Sequence, residues 1–165
     1  MGVGLHSGKN VSLTLMPGKP NSGIVFKRTD ISGTGAIIKA TWKNVVETTL
    51  CTTLGNDEAV TISTVEHLMA ALSASEIDNA VIEVNGPEVP VMDGSAAPFI
   101  FLAECAGTIE QNTPRRYIRV LKAISIGNRG KSASIVPSDS FTVEFDIDFE
   151  SAAVSRQSYS ICMEG

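Results

Sequence analysis

The chain has 165 residues, 43% hydrophobic and 19% charged, enough to bury a real core in one domain or in one domain plus part of a second. Eighteen acids against 13 bases give a formal net charge of -5, which argues against a general nucleic-acid binder. No apolar run reaches the roughly 18 residues that a spanning helix needs, the start lacks the basic and apolar regions of a signal peptide, and Cys51, Cys105 and Cys162 form neither a disulfide framework nor a CxxC knuckle. A reducing cytoplasm and no membrane insertion are expected.

In chain order, Val11, Leu13 and Leu15 alternate with polar residues up to Pro17-Gly18, which predicts a half-buried strand. Gly23 to Arg28 predicts a second, with Ile24 and Phe26 on one face, and Thr48 to Leu54 a third. Asn56-Asp57 punctuates the chain before Val60-Thr61-Ile62. Ser63-Thr64-Val65-Glu66 has the S-x-x-E form of a capping box, and Val65, Leu68, Met69 and Leu72 follow at helical spacing to about Ser75. Ala80 to Val84 reads as a strand and Pro87 to Met92 as extended chain. Asp93-Gly94 turns, Ser95 caps a second helix to about Cys105, and Gly107 stops it.

Thr108 to Pro114 is polar and carries a proline, so a linker is placed there, separating domains over residues 1–113 and 114–165. Beyond it, Tyr117 to Ile126, a turn at Gly127-Asn128-Arg129-Gly130, Lys131 to Val136, Phe141 to Phe149 and Tyr159 to Met163 predict a β-meander. No helix follows to cover its apolar face. The expected fold class is therefore α+β: a two-layer sheet-and-helix domain followed by an incomplete second domain. Charge is uneven in this part. Six bases and no acid lie between Gln111 and Lys131, and from Ser132 onward six acids face only Arg156. A solvated hairpin accounts for this; so does a local site for a small anion such as phosphate.

Chemistry is bounded by two histidines, His6 and His67. Glu66-His67 is not an H-E-x-x-H metalloprotease helix, because the order is reversed and Ala70 and Ala71 fill the next turn. A capping box would explain Glu66, and a satisfied polar role would explain His67. Yet a glutamate among the free amides of a helix start is held ionised, as a general base must be. Its neighbour points about 100° away and can ligate a metal while the glutamate reaches a water. Gly2-Val3-Gly4-Leu5-His6-Ser7-Gly8 packs glycines around His6, which permits close backbone approach or simply a tight turn. Asp78-Asn79 and Asp93-Gly94-Ser95 read as turn and cap residues.

Taken together, Gly-Val-Gly-Leu-His-Ser-Gly (2–8), Leu-Cys-Thr-Thr (50–53), Ser-Thr-Val-Glu-His-Leu (63–68), Ile-Asp-Asn (77–79) and Val-Pro-Val-Met-Asp-Gly-Ser-Ala-Ala-Pro-Phe (89–99) resemble the N-terminal portion of the UDP-3-O-acyl-N-acetylglucosamine deacetylases, zinc enzymes of lipid A synthesis. The resemblance implies two similar sheet-plus-helices domains. It casts His67 as a zinc ligand, Glu66 as the general base for the attacking water, and His6, Leu50 and Cys51 as active-site lining. In the second domain it implies that Lys131 contacts the phosphates of UDP and that Asp148 and Phe149 hold the uracil. It also implies a cytoplasmic Gram-negative setting, without nucleic acid or membrane insertion.

The resemblance places the other zinc ligands, the general acid and the acyl-chain passage in the remainder of the polypeptide, so the chain alone is expected to be inactive. A short strand before the glycine loop is expected to be missing, which makes Met1 a truncated start. A non-catalytic binding module of the same fold is the rival reading, since a fold hosts many functions.

Overall fold

The computed structural model describes residues 1–163 and divides the chain into two compact units, Met1–Arg115 and Arg116 onward. The first unit opens with a hairpin in which β1 (Gly2–Val3) pairs with β2 (Asn10–Val11) around the glycine-rich turn. β3 (Leu13–Pro17), β4 (Ile24–Arg28) and β5 (Ile37–Lys39) follow. β6 (Val45–Glu47), β7 (Thr53–Gly55) and β8 (Thr61–Ile62) form a small antiparallel sheet in that order. Helix α1 (Glu66–Ala74), strand β9 (Ala80–Val84) and helix α2 (Ala97–Ala106) complete the unit.

β9 inserts between β3 and β4, so the main sheet runs β3-β9-β4-β5, antiparallel everywhere except at the β4–β9 pair. A parallel pair needs a crossover, and α1 lies within it. Alternation sets the faces: Ala80, Ile82 and Val84 of β9 are buried, as are Ile24 and Phe26 of β4, with Phe26 opposite Ile82. α1 adds Leu68, Ala71 and Leu72 to this core, preceded by Val65, and α2 adds Phe99. The result is an α+β fold with sheet and helix residues sharing one core. Each fully buried large side chain contributes roughly 1.5–3 kcal/mol.

Polar ties close the edges. Arg28 is buried at the end of β4, where it donates to both Asp30 carboxylate oxygens (2.8 and 2.7 Å) and to the Thr61 carbonyl (2.7 Å). Ala96 rather than Ser95 is the cap residue of α2 and no side chain closes it; the Ser95 hydroxyl accepts the Ala97 N–H at 3.2 Å just before the helix, and Gly107 ends it with φ 77. In the connecting segment, the Gln111 carboxamide donates to the Gly18 carbonyl and accepts from Asn79, both at 2.8 Å. Arg115 donates to Asp78 at 2.7 Å and to the Glu76 carbonyl at 2.7 Å.

Residues 116–163 hold two separate hairpins. β10 (Ile124–Asn128) pairs with β11 (Lys131–Ile135), and β12 (Phe141–Asp148) pairs with β13 (Arg156–Met163). Arg129 and Gly130 both have positive φ (48 and 81), the geometry of a two-residue type I′ turn. Three expectations are corrected here. The meander is not continuous, because among the described residues β11 and β12 do not pair. Tyr117 to Leu121 is not strand: β10 starts at Ile124 opposite Ile135, and Pro137 has no N–H with which to carry β11 further. Thr48 to Leu54 is not one strand either. Its β-favouring residues contain a turn, with Leu50 at φ 65, between β6 and β7.

Candidate active site

The capping box at Ser63 does not form. α1 begins at Glu66, with Val65 as its cap residue and no side chain closing it. Ser63 is instead drawn into the sheet-like run beside it: its N–H donates to the Pro87 carbonyl (2.8 Å), and its carbonyl accepts from Val89 (3.0 Å). Tertiary pairing has overridden the local motif. Glu66 is thereby freed from the structural role its spacing suggested. Its Oε1 accepts the N–H of Thr52, while Oε2 is shielded from solvent without a hydrogen-bond partner. A carboxylate with one oxygen fixed and the other unengaged is arranged to take a proton from something held beside it.

His67 follows on the first turn of α1, half-buried. Asp93 lies within its electrostatic reach. The Asp93 carboxyl is held below its ordinary value first by the Ser95 hydroxyl and Ser95 amide, with a smaller contribution from His67. The Ser95 donors are 2.8 and 2.9 Å away.

The glycine hairpin is brought in by the extended run after β9. Gly4 bridges Pro90, and Val91 donates to the Val3 carbonyl at 2.9 Å. The anchor is Glu88, only 3% exposed. Its Oε1 accepts the His6 N–H (2.8 Å) and the Thr64 hydroxyl (3.2 Å), and its Oε2 accepts the Ser7 N–H (2.9 Å). Burial pushes this carboxyl up, but those donors outweigh it and the group sits below its ordinary value. Sequence reasoning passed over Glu88. A lone acid between prolines in an otherwise apolar stretch, Pro87-Glu88-Val89-Pro90, was the available signal.

Cys51 is a free, half-buried thiol 3.7 Å from the Thr53 hydroxyl, next to the Thr52 amide that holds Glu66. Leu50 before it is 87% exposed. Three non-glycine residues lie in the left-handed region: Leu50 (φ 65) directly before Cys51, Met92 (φ 56) directly before Asp93, and Thr64 (φ 59) two positions before Glu66. For β-branched Thr64 this is true backbone strain, held in place by the Glu88 bond and burial. Two sets of contacts result: Glu88 holds the His6 and Ser7 backbone and the Thr64 hydroxyl, and the Thr52 amide beside Cys51 holds Glu66, while the His6 side chain itself is exposed and Leu50 lies at the surface.

Lys131, Asp148 and Phe149 fall in the second unit. Lys131 opens β11 opposite Asn128, and Asp148 ends β12 opposite Arg156. The Phe149 N–H donates to the Ser155 carbonyl at 3.3 Å, and all three side chains are exposed. Among the described residues, no three His, Cys, Asp or Glu side chains converge to hold a metal. One candidate donor stands there by itself. His67 offers an imidazole, and the unengaged oxygen of Glu66 stands on the neighbouring residue.

The α+β unit thus places a carboxylate with one unengaged oxygen and a histidine side by side on the first turn of one helix. The whole chain, residues 1–165, matches the family model LpxC, UDP-3-O-acyl N-acetylglycosamine deacetylase, and the chain belongs to that family. It is 48% identical over 163 residues to proteins of Shewanella baltica (strain OS155) and Shewanella oneidensis named UDP-3-O-acyl-N-acetylglucosamine deacetylase. These alignments cover 99% of this chain and 53% of each relative, so the chain spans about half the length of the curated relatives it matches. No helix among the described residues is long and apolar enough to cross a membrane.

Proposed function

We propose that the chain carries the general base and one metal ligand of a zinc-dependent deacetylase. The enzyme would remove the acetyl group of UDP-3-O-acyl-N-acetylglucosamine in the cytoplasmic synthesis of lipid A in Gram-negative bacteria. The observation that carries this reading is the state of Glu66: one oxygen pinned by Thr52, the other buried and unpartnered, beside His67. A purely structural glutamate at a helix start would have spent its carboxylate on the cap. The same observation disfavours a non-catalytic module of this fold.

In this reading Oε2 of Glu66 accepts a proton from the water that attacks the acetamide carbonyl; as the C–N bond breaks, the departing nitrogen takes a proton from a general acid in the remainder of the polypeptide, leaving acetate and the free amine of the sugar. The Thr52 amide fixes the carboxylate so that little reorientation is needed. His67 holds zinc together with ligands from the remainder of the polypeptide, and the metal when bound supplies Lewis acidity toward the carbonyl. One ligand holds zinc weakly, so the chain alone is inactive. His6, Leu50 and Cys51 line the reacting group. Lys131 meets the phosphates of UDP, and Asp148 and Phe149 hold the uracil, Phe149 by stacking. A domain division placed by sequence at residues 113 and 114, two residues before the boundary between the compact units, would separate the catalytic part from this nucleotide-holding part.

The test uses the complete polypeptide. Glu66→Ala lowers kcat by about 10²–10⁴-fold with zinc content unchanged, and His67→Ala loses zinc. Full turnover in Glu66→Ala, or a full zinc complement after His67→Ala, would remove the corresponding assignment.

A further inference from the structure

Glu88 is the one buried carboxylate in the first unit that this mechanism does not use. No lysine or arginine pairs with it among the described ion pairs. A buried charge without a counter-ion is tolerated only where hydrogen bonds replace its hydration. Here the donors come from two places far apart in sequence, residues 6–7 and residue 64. The His6 and Thr64 bonds end on the same oxygen, which sets the His6 amide beside the Thr64 hydroxyl. Gly4 completes the fit, since a Cβ there would collide with the Glu88 carboxylate and the Ser7 hydroxyl. Thr64 is in turn the strained residue two positions before Glu66.

We infer that Glu88 is a positioning residue: its carboxylate ties the backbone of the His6 hairpin to the Thr64 turn that launches α1, and so sets where the hairpin that carries His6 stands relative to the start of the helix bearing Glu66 and His67. The inference rests on the reading of Glu66 and His67 as the reacting centre. Shape alone does not explain the residue. Each carboxylate oxygen already receives a donor, so a glutamine of the same shape presents an NH₂ to an N–H or O–H wherever it turns.

The experiment compares Glu88→Gln, His6→Ala, the double variant and Thr64→Val in the complete polypeptide, by steady-state kinetics and amide hydrogen exchange. Glu88→Gln lowers kcat by about 100-fold, the loss that a misplacement of about 1 Å produces, and leaves KM for the UDP-sugar within about twofold. It also loses exchange protection at His6 and Ser7 while β9 keeps its own. The double variant is no slower than His6→Ala, because the two act through one element. Thr64→Val, which removes one of the donors and keeps Glu88, lowers kcat severalfold. That variant decides the matter if Glu88→Gln also loses protection in β9. Unchanged kcat in Thr64→Val or Glu88→Gln overturns the inference. So do losses that multiply in the double variant, or an impaired Glu88→Gln beside a fully active His6→Ala. The reading of the centre fails separately, if Glu66→Ala keeps its turnover.

Discussion

The two units use the same alternation of apolar and polar residues and put it to different ends. In the first, Phe26 of β4 and Ile82 of β9 stand opposite one another and are fully buried beneath residues of α1 and α2. In the second, β12 and β13 keep register over eight residue pairs, yet Phe145 is 63% exposed and its cross-strand partner Tyr159 is exposed too. Backbone pairing organises a hairpin, but further strands or a helix packed on its apolar face are what turn alternation into stability. The proposed centre of Glu66 and His67 lies in the unit with the core. Lys131, Asp148 and Phe149 sit on hairpins that, within residues 116–163, have none.

The strongest way to break this contrast is to cut the same kind of atom from both units. In this 165-residue chain, Leu68→Ala or Phe26→Ala lowers unfolding free energy by about 2–5 kcal/mol, measured by urea denaturation. Phe145→Ala changes it by no more than about 0.5 kcal/mol. Equal losses would mean that the hairpins share the first unit's cooperative core.

Acid sharpens the contrast next. Asp30 is held below its ordinary value of 3.8 mainly by the Arg28 side chain, against burial. Glu88 is held below 4.5, its donors outweighing burial. Both carboxyls are lowered in the folded chain, so their contribution is complete above those ordinary values and disappears as pH falls through the folded ones. Thermal melts of the first unit should lose stability steadily below about pH 4.5, and Asp30→Asn should flatten part of that slope. A slope indifferent to Asp30→Asn would remove the Arg28–Asp30 pair from the account.

The smallest effect belongs to the Arg156–Asp146 pair on the second unit, 3.1 Å apart and exposed at both ends. The ion pair lowers the Asp146 carboxyl, but solvent screens it. Asp146→Asn should leave the melting temperature of the chain unchanged. A measurable shift would show that the hairpin contributes to the transition.

How much of this was legible in the sequence follows from how far each contact reaches along the chain. β4, β9, α1 and the turn at Asp93-Gly94 were readable because periodicity, glycine and proline act over a few residues. The false capping box failed because Ser63 pairs with residues 87 and 89, which no window around Ser63 contains. The turn hidden between β6 and β7 carries no glycine or proline; its one mark is Leu50 in the left-handed region, invisible in a run of threonines. Glu66 and His67 were readable as candidates. The unengaged state of Glu66 was not, nor was Glu88, whose donors to it from the glycine loop lie 82 and 81 positions away.

The placement of β9 also has a consequence for the order in which the chain is made. β3, β4 and β5 leave the ribosome well before residues 80–84, yet β3 and β4 do not touch; β9 is the strand that joins them. Until it emerges, two strands carrying Leu13, Leu15, Ile24 and Phe26 have unfilled backbone edges facing one gap. The sheet therefore closes from its middle, and late. A nascent chain stalled between Arg28 and Ala80 presents adhesive edges to other chains, whereas one that has passed Val84 can seal them by itself.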